Sequence, residues 1–164
     1  MRATFTFILA ISLAACGSDS SGTFETSDGE EGSYSINQDG GEVTARITSD
    51  EGTTTIRSGK GVDAELPDGY SMYPGATIVS ATTMSGDSAN GSMVNFESDA
   101  APDDIIAHFR EQAEADGIEI KMEMKTGSGQ ILNGEGEDGR VFSITVSNDG
   151  DKSSGNLMVG NSGS

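Results

Sequence analysis

Only one stretch of this 164-residue chain carries a helical period. From Pro102 to Asp116, the side chains of Ile105, Ile106, Phe109 and Ala113 fall within about 100° of arc on a 3.6-residue wheel, which makes a single apolar stripe. Pro102 suits a first helical position, and Asp103 and Asp104 stand where the N-terminal dipole favours negative charge. Gly117 is placed to end the helix in the left-handed region. A lone amphipathic helix must bury its stripe on something, and the flanking sequence alternates or turns.

Thr77 to Met84 and Ser92 to Ser98 read as a hairpin across a Gly- and Asn-bearing loop, with Val94 and Phe96 on its buried face. After the helix, Ile118 to Met124 alternates without a fault, the pattern of a strand with one face buried. Gln130 to Asn133, Arg140 to Ser147 and the short run Asn156 to Val159 follow, with glycine-bearing turns between them. The expected fold class is α+β: an antiparallel sheet with one covering helix, ββαβββ, occupying residues 66–160. Phe109 is its expected helix-to-sheet contact. At its entrance, Leu66 to Ala76 holds Pro67, Gly69, Pro74 and Gly75, two rigid corners in which each proline presets the second residue of a turn.

Upstream the pattern thins. Ser33 to Asn37, Val43 to Thr48 and Thr53 to Arg57 alternate weakly between Asp- and Gly-bearing turns and read as a small β-meander over residues 32–62. Its apolar face is limited to Tyr34, Ile36, Val43, Ala45, Ile47 and Ile56. Thr53 to Arg57, β-prone and nearly uncharged, is the expected free edge for a partner strand. Residues 16–31 are almost wholly Gly, Ser, Thr and acid, a composition that reads as a disordered tether spanning about 20 Å when relaxed.

At the N-terminus, Arg2 precedes an apolar run from Phe5 to Leu13, followed by Leu13-Ala14-Ala15-Cys16-Gly17-Ser18. This resembles the lipobox of a bacterial lipoprotein. The resemblance implies that residues 1–15 are a signal peptide, that cleavage falls before Cys16, and that Cys16 carries a diacylglycerol and an N-acyl chain such as palmitate. The uncharged run from Ala3 to Ala15 is short of the ~20 apolar residues of a spanning helix and suits a signal core. The stretch from Tyr73-Pro74-Gly75-Ala76 through Phe96 to Phe109 and Gly117 resembles a small α+β domain of uncharacterised bacterial envelope lipoproteins, which brings no activity with it.

Charge narrows the partners. Removing residues 1–15 takes away Arg2 and no acid, leaving 8 basic residues against 27 acidic ones, a net −19. That balance excludes a phosphate-backbone partner such as nucleic acid and predicts that the folded body stands off anionic lipid headgroups. The single cysteine allows no internal disulfide.

Catalytic signals are absent. His108, the single histidine, flanks the apolar stripe and reads as a boundary residue rather than a base. Met122 and Met124 share a strand face and resemble a thioether pair for Cu(I), but the alternation turns them toward the helix as core. Asn148-Asp149-Gly150-Asp151-Lys152-Ser153 opens like a calcium loop, yet Ser154 stands at the position of the loop glycine and Gly160 at that of the closing glutamate, so it reads as a turn. The expectation is therefore a non-enzymatic, lipid-anchored envelope lipoprotein of the outer membrane facing the periplasm, binding another envelope component, with no metal or cofactor. The alternative is an enzyme of unknown type in the periplasm or at the cell surface.

Overall fold

The computed structural model describes residues 19–25, 31–86, 89–148 and 150–162. They form one antiparallel sheet of ten strands with a single α-helix against part of one face. In chain order these are β1 (Ser20–Glu25), β2 (Glu31–Asp39), β3 (Glu42–Ser49), β4 (Gly52–Ser58), β5 (Thr77–Gly86) and β6 (Ala89–Ser98). Then come α1 (Pro102–Ala115), β7 (Ile118–Lys125), β8 (Gly129–Gly136), β9 (Arg140–Asn148) and β10 (Ser153–Ser162). The spatial order is β1-β2-β3-β4-β5-β6-β10-β9-β8-β7. The chain meanders through six strands, crosses by α1 to the far edge, and meanders back until β10 closes on β6.

This corrects the ββαβββ expectation with its separate meander and disordered tether. Four strands follow the helix, and β4 is hydrogen-bonded to β5 from Gly52↔Gly86 to Ser58↔Ser80, so β2 to β4 extend the same sheet. Part of the expected tether is β1, paired with β2 from Ser20↔Ile36 to Glu25↔Glu31. The reason is that a sheet grows through main-chain donors and acceptors. A Ser/Thr/Gly-rich segment can therefore satisfy its backbone on an existing edge without contributing core. The two-residue connection Gly40-Gly41 shows the local chemistry: both residues have positive φ, 57° and 95°, as a tight hairpin turn with the twist of its strands requires.

Thr53–Arg57 is likewise not a free edge, because β4 lies between β3 and β5 and is paired on both sides. Alternation reveals a strand's faces but not its neighbours.

Helix α1 begins at Pro102 with Asp103 and Asp104 in its first turn and buries Ile105, Ile106, Phe109 and Ala113. Gly117 follows with φ 76°, the left-handed position after a helix end. The helix packs on β7, β8 and β9. Beneath it Phe96, Leu132, Phe142, Ile144, Val146 and Leu157 are fully buried, with Phe96 and Phe109 ring centroids 5.9 Å apart. The Phe96 ring lies over its cross-strand partner Gly155, where any Cβ would overlap it. Residues 59–76, between β4 and β5, run across the helix side of the sheet. Turn hydrogen bonds Tyr70 N to Pro67 O, 3.1 Å, and Ala76 N to Tyr73 O, 3.0 Å, fold this segment back. Pro74 is the second residue of its turn, as expected, whereas Pro67 is the first of its own.

A β-bulge decides the faces of β7. Ile120 pairs with Gly134 but Met122 pairs with Asn133, leaving Lys121 as the extra residue. Ile118 and Ile120 therefore point to the helix side, and Met122 and Met124 emerge on the opposite face, 41% and 47% exposed. Glu123 moves to the helix side and meets Arg110 at 2.7 Å. The expectation that both methionines are core is thus corrected, since one inserted residue inverts every side chain beyond it.

Candidate functional site

Beyond the C-terminal end of α1 the helix stops short of the sheet's end, and a groove of about 430 Å³ opens on the helix side. Its wall is the segment Glu65–Asp68, held to the sheet where Ser92 Oγ donates to the Glu65 carbonyl. Its floor is the end of β5, β6 and β10, with Thr83, Ser92 and Val159 among the lining residues. Leu66, Ile118 and Val159 give it an apolar lining, while Gly91 and Gly160, paired across β6 and β10, present no side chains.

The closed end of the groove is polar. Arg140, the first residue of β9, reaches the helix terminus, where Nη1 lies 2.9 Å from Asp116 Oδ1 and also donates to the Asp116 carbonyl. Its Nε donates to the Glu137 carbonyl at 3.4 Å. Helix α1 has no basic residue in its last turn, so Arg140 supplies from another strand the positive charge that its C-terminal carbonyls favour. Tyr70 donates its hydroxyl to Asp116 Oδ2 at 3.5 Å and stacks on Phe142 with ring centroids 6.1 Å apart. Burial, and then the neighbouring Asp116 carboxylate, push the Tyr70 phenol up to about 12. The groove thus joins the apolar lining of Leu66, Ile118 and Val159 to a fixed donor and acceptor set at one end, the composition of a small-molecule cleft.

The residues singled out from sequence lie elsewhere. His108 is on the outer side of the helix, where Gln112 Nε2 approaches its Nε2 at 2.5 Å and the Tyr73 ring meets it edge-on at 5.4 Å. Gln112 grips the Ser71 backbone from both directions, accepting from its N–H at 2.6 Å and donating to its carbonyl at 3.2 Å. This corner fastens the 59–76 segment to the helix. Met122 and Met124 are apart from the groove on the opposite face. Cys16 lies outside the described residues, as does Asp149 of the calcium-like turn. Among the described residues no group of three or more His, Cys, Asp or Glu side chains is arranged to hold a metal, and no helix is long and apolar enough to cross a membrane.

Sequence reasoning missed Tyr70, Asp116 and Arg140 as a set, because 46 and 24 residues separate the partners. The available signal was Arg140 itself, one of only nine cations in the chain.

At the opposite end of the helix, Asp103 accepts from Lys125 Nζ at 2.5 Å and from Gln130 Nε2. These two hydrogen bonds hold its carboxyl below the usual range. This contact ties the helix start to the β7–β8 hairpin.

No curated protein and no solved structure matches the chain. Residues 78–155, from β5 to the start of β10 and just under half of the chain, match a family model described as START domain-like. The groove and α1 are built largely from this stretch, which is what the chain is similar to.

Proposed function

We propose that this chain is a non-enzymatic envelope lipoprotein, anchored through acyl chains on Cys16 and facing the periplasm from the outer membrane, that binds a small amphiphilic envelope component in the groove beyond α1. The observation that carries the binding is the pairing of an apolar lining (Leu66, Ile118, Val159) with the Asp116–Arg140 ion pair, which Tyr70 braces from outside the lining, in one cleft of about 430 Å³, within the ~300–1,000 Å³ range of small-molecule sites. The polar groups engage one another and sit at the end of the cleft, an arrangement suited to fixing the orientation of a headgroup. The anchor is supported by the lipobox sequence Leu13-Ala14-Ala15-Cys16. The enzymatic alternative has less support: the one imidazole, His108, is bound into the loop clamp and not into the groove.

Titration of the full chain with the apolar fluorophore N-phenyl-1-naphthylamine tests the groove. Saturable binding that Thr83→Trp abolishes, by filling the floor, is the expected result. Equal binding by the wild type and Thr83→Trp, with unchanged unfolding midpoints, would remove the groove from the account.

A further inference from the structure

We infer that the sheet face opposite α1 lies flat against a lipid surface, an inference that rests on the anchored reading above. Cross-strand register makes that face continuous. One row of paired residues runs across all ten strands from Met122 and Asn133 through Met158 and Met93 to Ile56, Ile36 and finally Ser20. No residue of this row is charged, in a chain of net charge −18. The row on one side, Met124 and Ile131 to Val43 and Gln38, is also uncharged. On the other side, the row from Val141 to Met84, Ile47 and Tyr34 meets acids only at Glu119 and Glu135, at the β7–β8 end.

Apolar exposure is concentrated there. Among the described residues, eight of the nine exposed large apolar side chains belong to this face, the exception being Val79 in the β5 bulge. In β1 to β4 every large apolar side chain except those in turns points this way, so this half of the sheet has its apolar side turned from the helix and covered by no described residue. Ten strands at ~4.8 Å spacing and three rows make a surface of about 45 by 20 Å.

What covers it follows from the position of the anchor. Ser20 ends the uncharged row at the β1 edge, and Cys16 is four residues before it, within about 14 Å even when fully extended. Because β1 occupies Ser20–Glu25, the expected long tether shrinks to a few residues, and the acyl chains enter the bilayer beside this face. Phe24 and Tyr34, on the two strands nearest the anchor, are aromatic side chains of the kind that settle at a membrane interface. Net charge alone predicted a body standing off the surface. Within the three rows the acids are confined to Glu119 and Glu135 at the end far from the anchor, and Glu97, one row beyond Asn95 on the same face, lies 3.9 Å from Lys152, so contact along the rows meets little headgroup repulsion. Tethering supplies a high effective concentration, and a weakly apolar face is then sufficient.

The test uses the full chain, produced with its own N-terminus and reconstituted into phosphatidylcholine vesicles with brominated acyl chains. The chain has no tryptophan, so Ile56→Trp on this face and Asn37→Trp on the opposite one report separately. The inference expects bromine to quench Ile56→Trp at least several-fold more than Asn37→Trp. Equal quenching in a preparation whose N-terminal peptide mass shows acylated Cys16 would overturn the docking while leaving the anchor. An unacylated Cys16 would overturn the anchor and the docking with it. A particle of two copies in detergent that Ile56→Glu dissociates would assign the face to a second chain and overturn the lipid assignment.

Discussion

Phe96 lays its ring over Gly155, its direct partner across β6 and β10, and the same ring packs against Phe109 of α1 with centroids 5.9 Å apart. The glycine thus provides the space in which the helix and sheet interlock, and both residues are buried. Gly155→Ala places a methyl group where the ring is and is expected to destabilise the protein by about 1–3 kcal/mol. Urea unfolding followed by circular dichroism measures it; an unchanged midpoint would mean that the ring can move aside.

Phe109 contributes the other half of that contact and is fully buried. Phe109→Ala should cost about 3–5 kcal/mol, much of the 5–15 kcal/mol that holds an ordinary domain together. His108→Ala, one residue away on the outer side of the helix, should cost far less, since it removes edge contacts with Tyr73 and Phe109 and the approach of its Nε2 to the Ser71 carbonyl and Gln112 but leaves no buried cavity. Equal losses from the two variants would show that the helix face is misassigned.

Arg140 ties the helix end to β9 through the Asp116 carboxylate at 2.9 Å and the Asp116 carbonyl. Both side chains are about one-third exposed, so screening keeps the effect of Arg140→Gln to about 1 kcal/mol. The expected signature is salt dependence: the gap between wild type and variant narrows as ionic strength rises. A gap that stays constant with salt would assign Arg140 a packing role only.

Tyr70 gives the protein an alkaline limb. With its phenol raised to about 12 in the folded state against 10 when unfolded, the unfolded chain ionises first as pH rises. The stability this residue contributes is complete below pH 10 and is lost as pH climbs through about 12, amounting to at most about 3 kcal/mol. Tyr70→Phe should therefore flatten the decline of stability between pH 10 and 12. Parallel profiles for the two proteins would contradict the burial of that hydroxyl beside Asp116.

The legible parts of this fold were those with an uninterrupted local period. Pro102, the stripe Ile105–Ile106–Phe109–Ala113 and Gly117 mark the helix because each acts within a turn or two of its neighbours. Met122 and Met124 were misread because Lys121 bulges, and no local signal distinguishes an alternating strand from one that slips its phase. The pairings of β1 and of Thr53–Arg57 were unreadable for a different reason: main-chain hydrogen bonds carry no side-chain signature, so a Ser- and Thr-rich strand looks alike at an edge, in the middle or in a loop. Of the groove, only single residues could be seen, since Tyr70, Asp116 and Arg140 meet solely through the folding of the 59–76 segment over the end of α1.

The N-terminal peptide of the protein recovered from bacterial membranes tests the anchored reading most directly, through its mass. The account predicts a peptide that begins at Cys16 and carries a diacylglyceryl group and an amide-linked acyl chain, with Cys16→Ser retaining residues 1–15 and losing both modifications. A Cys16→Ser protein that is cut at the same place and still held in the membrane would contradict it.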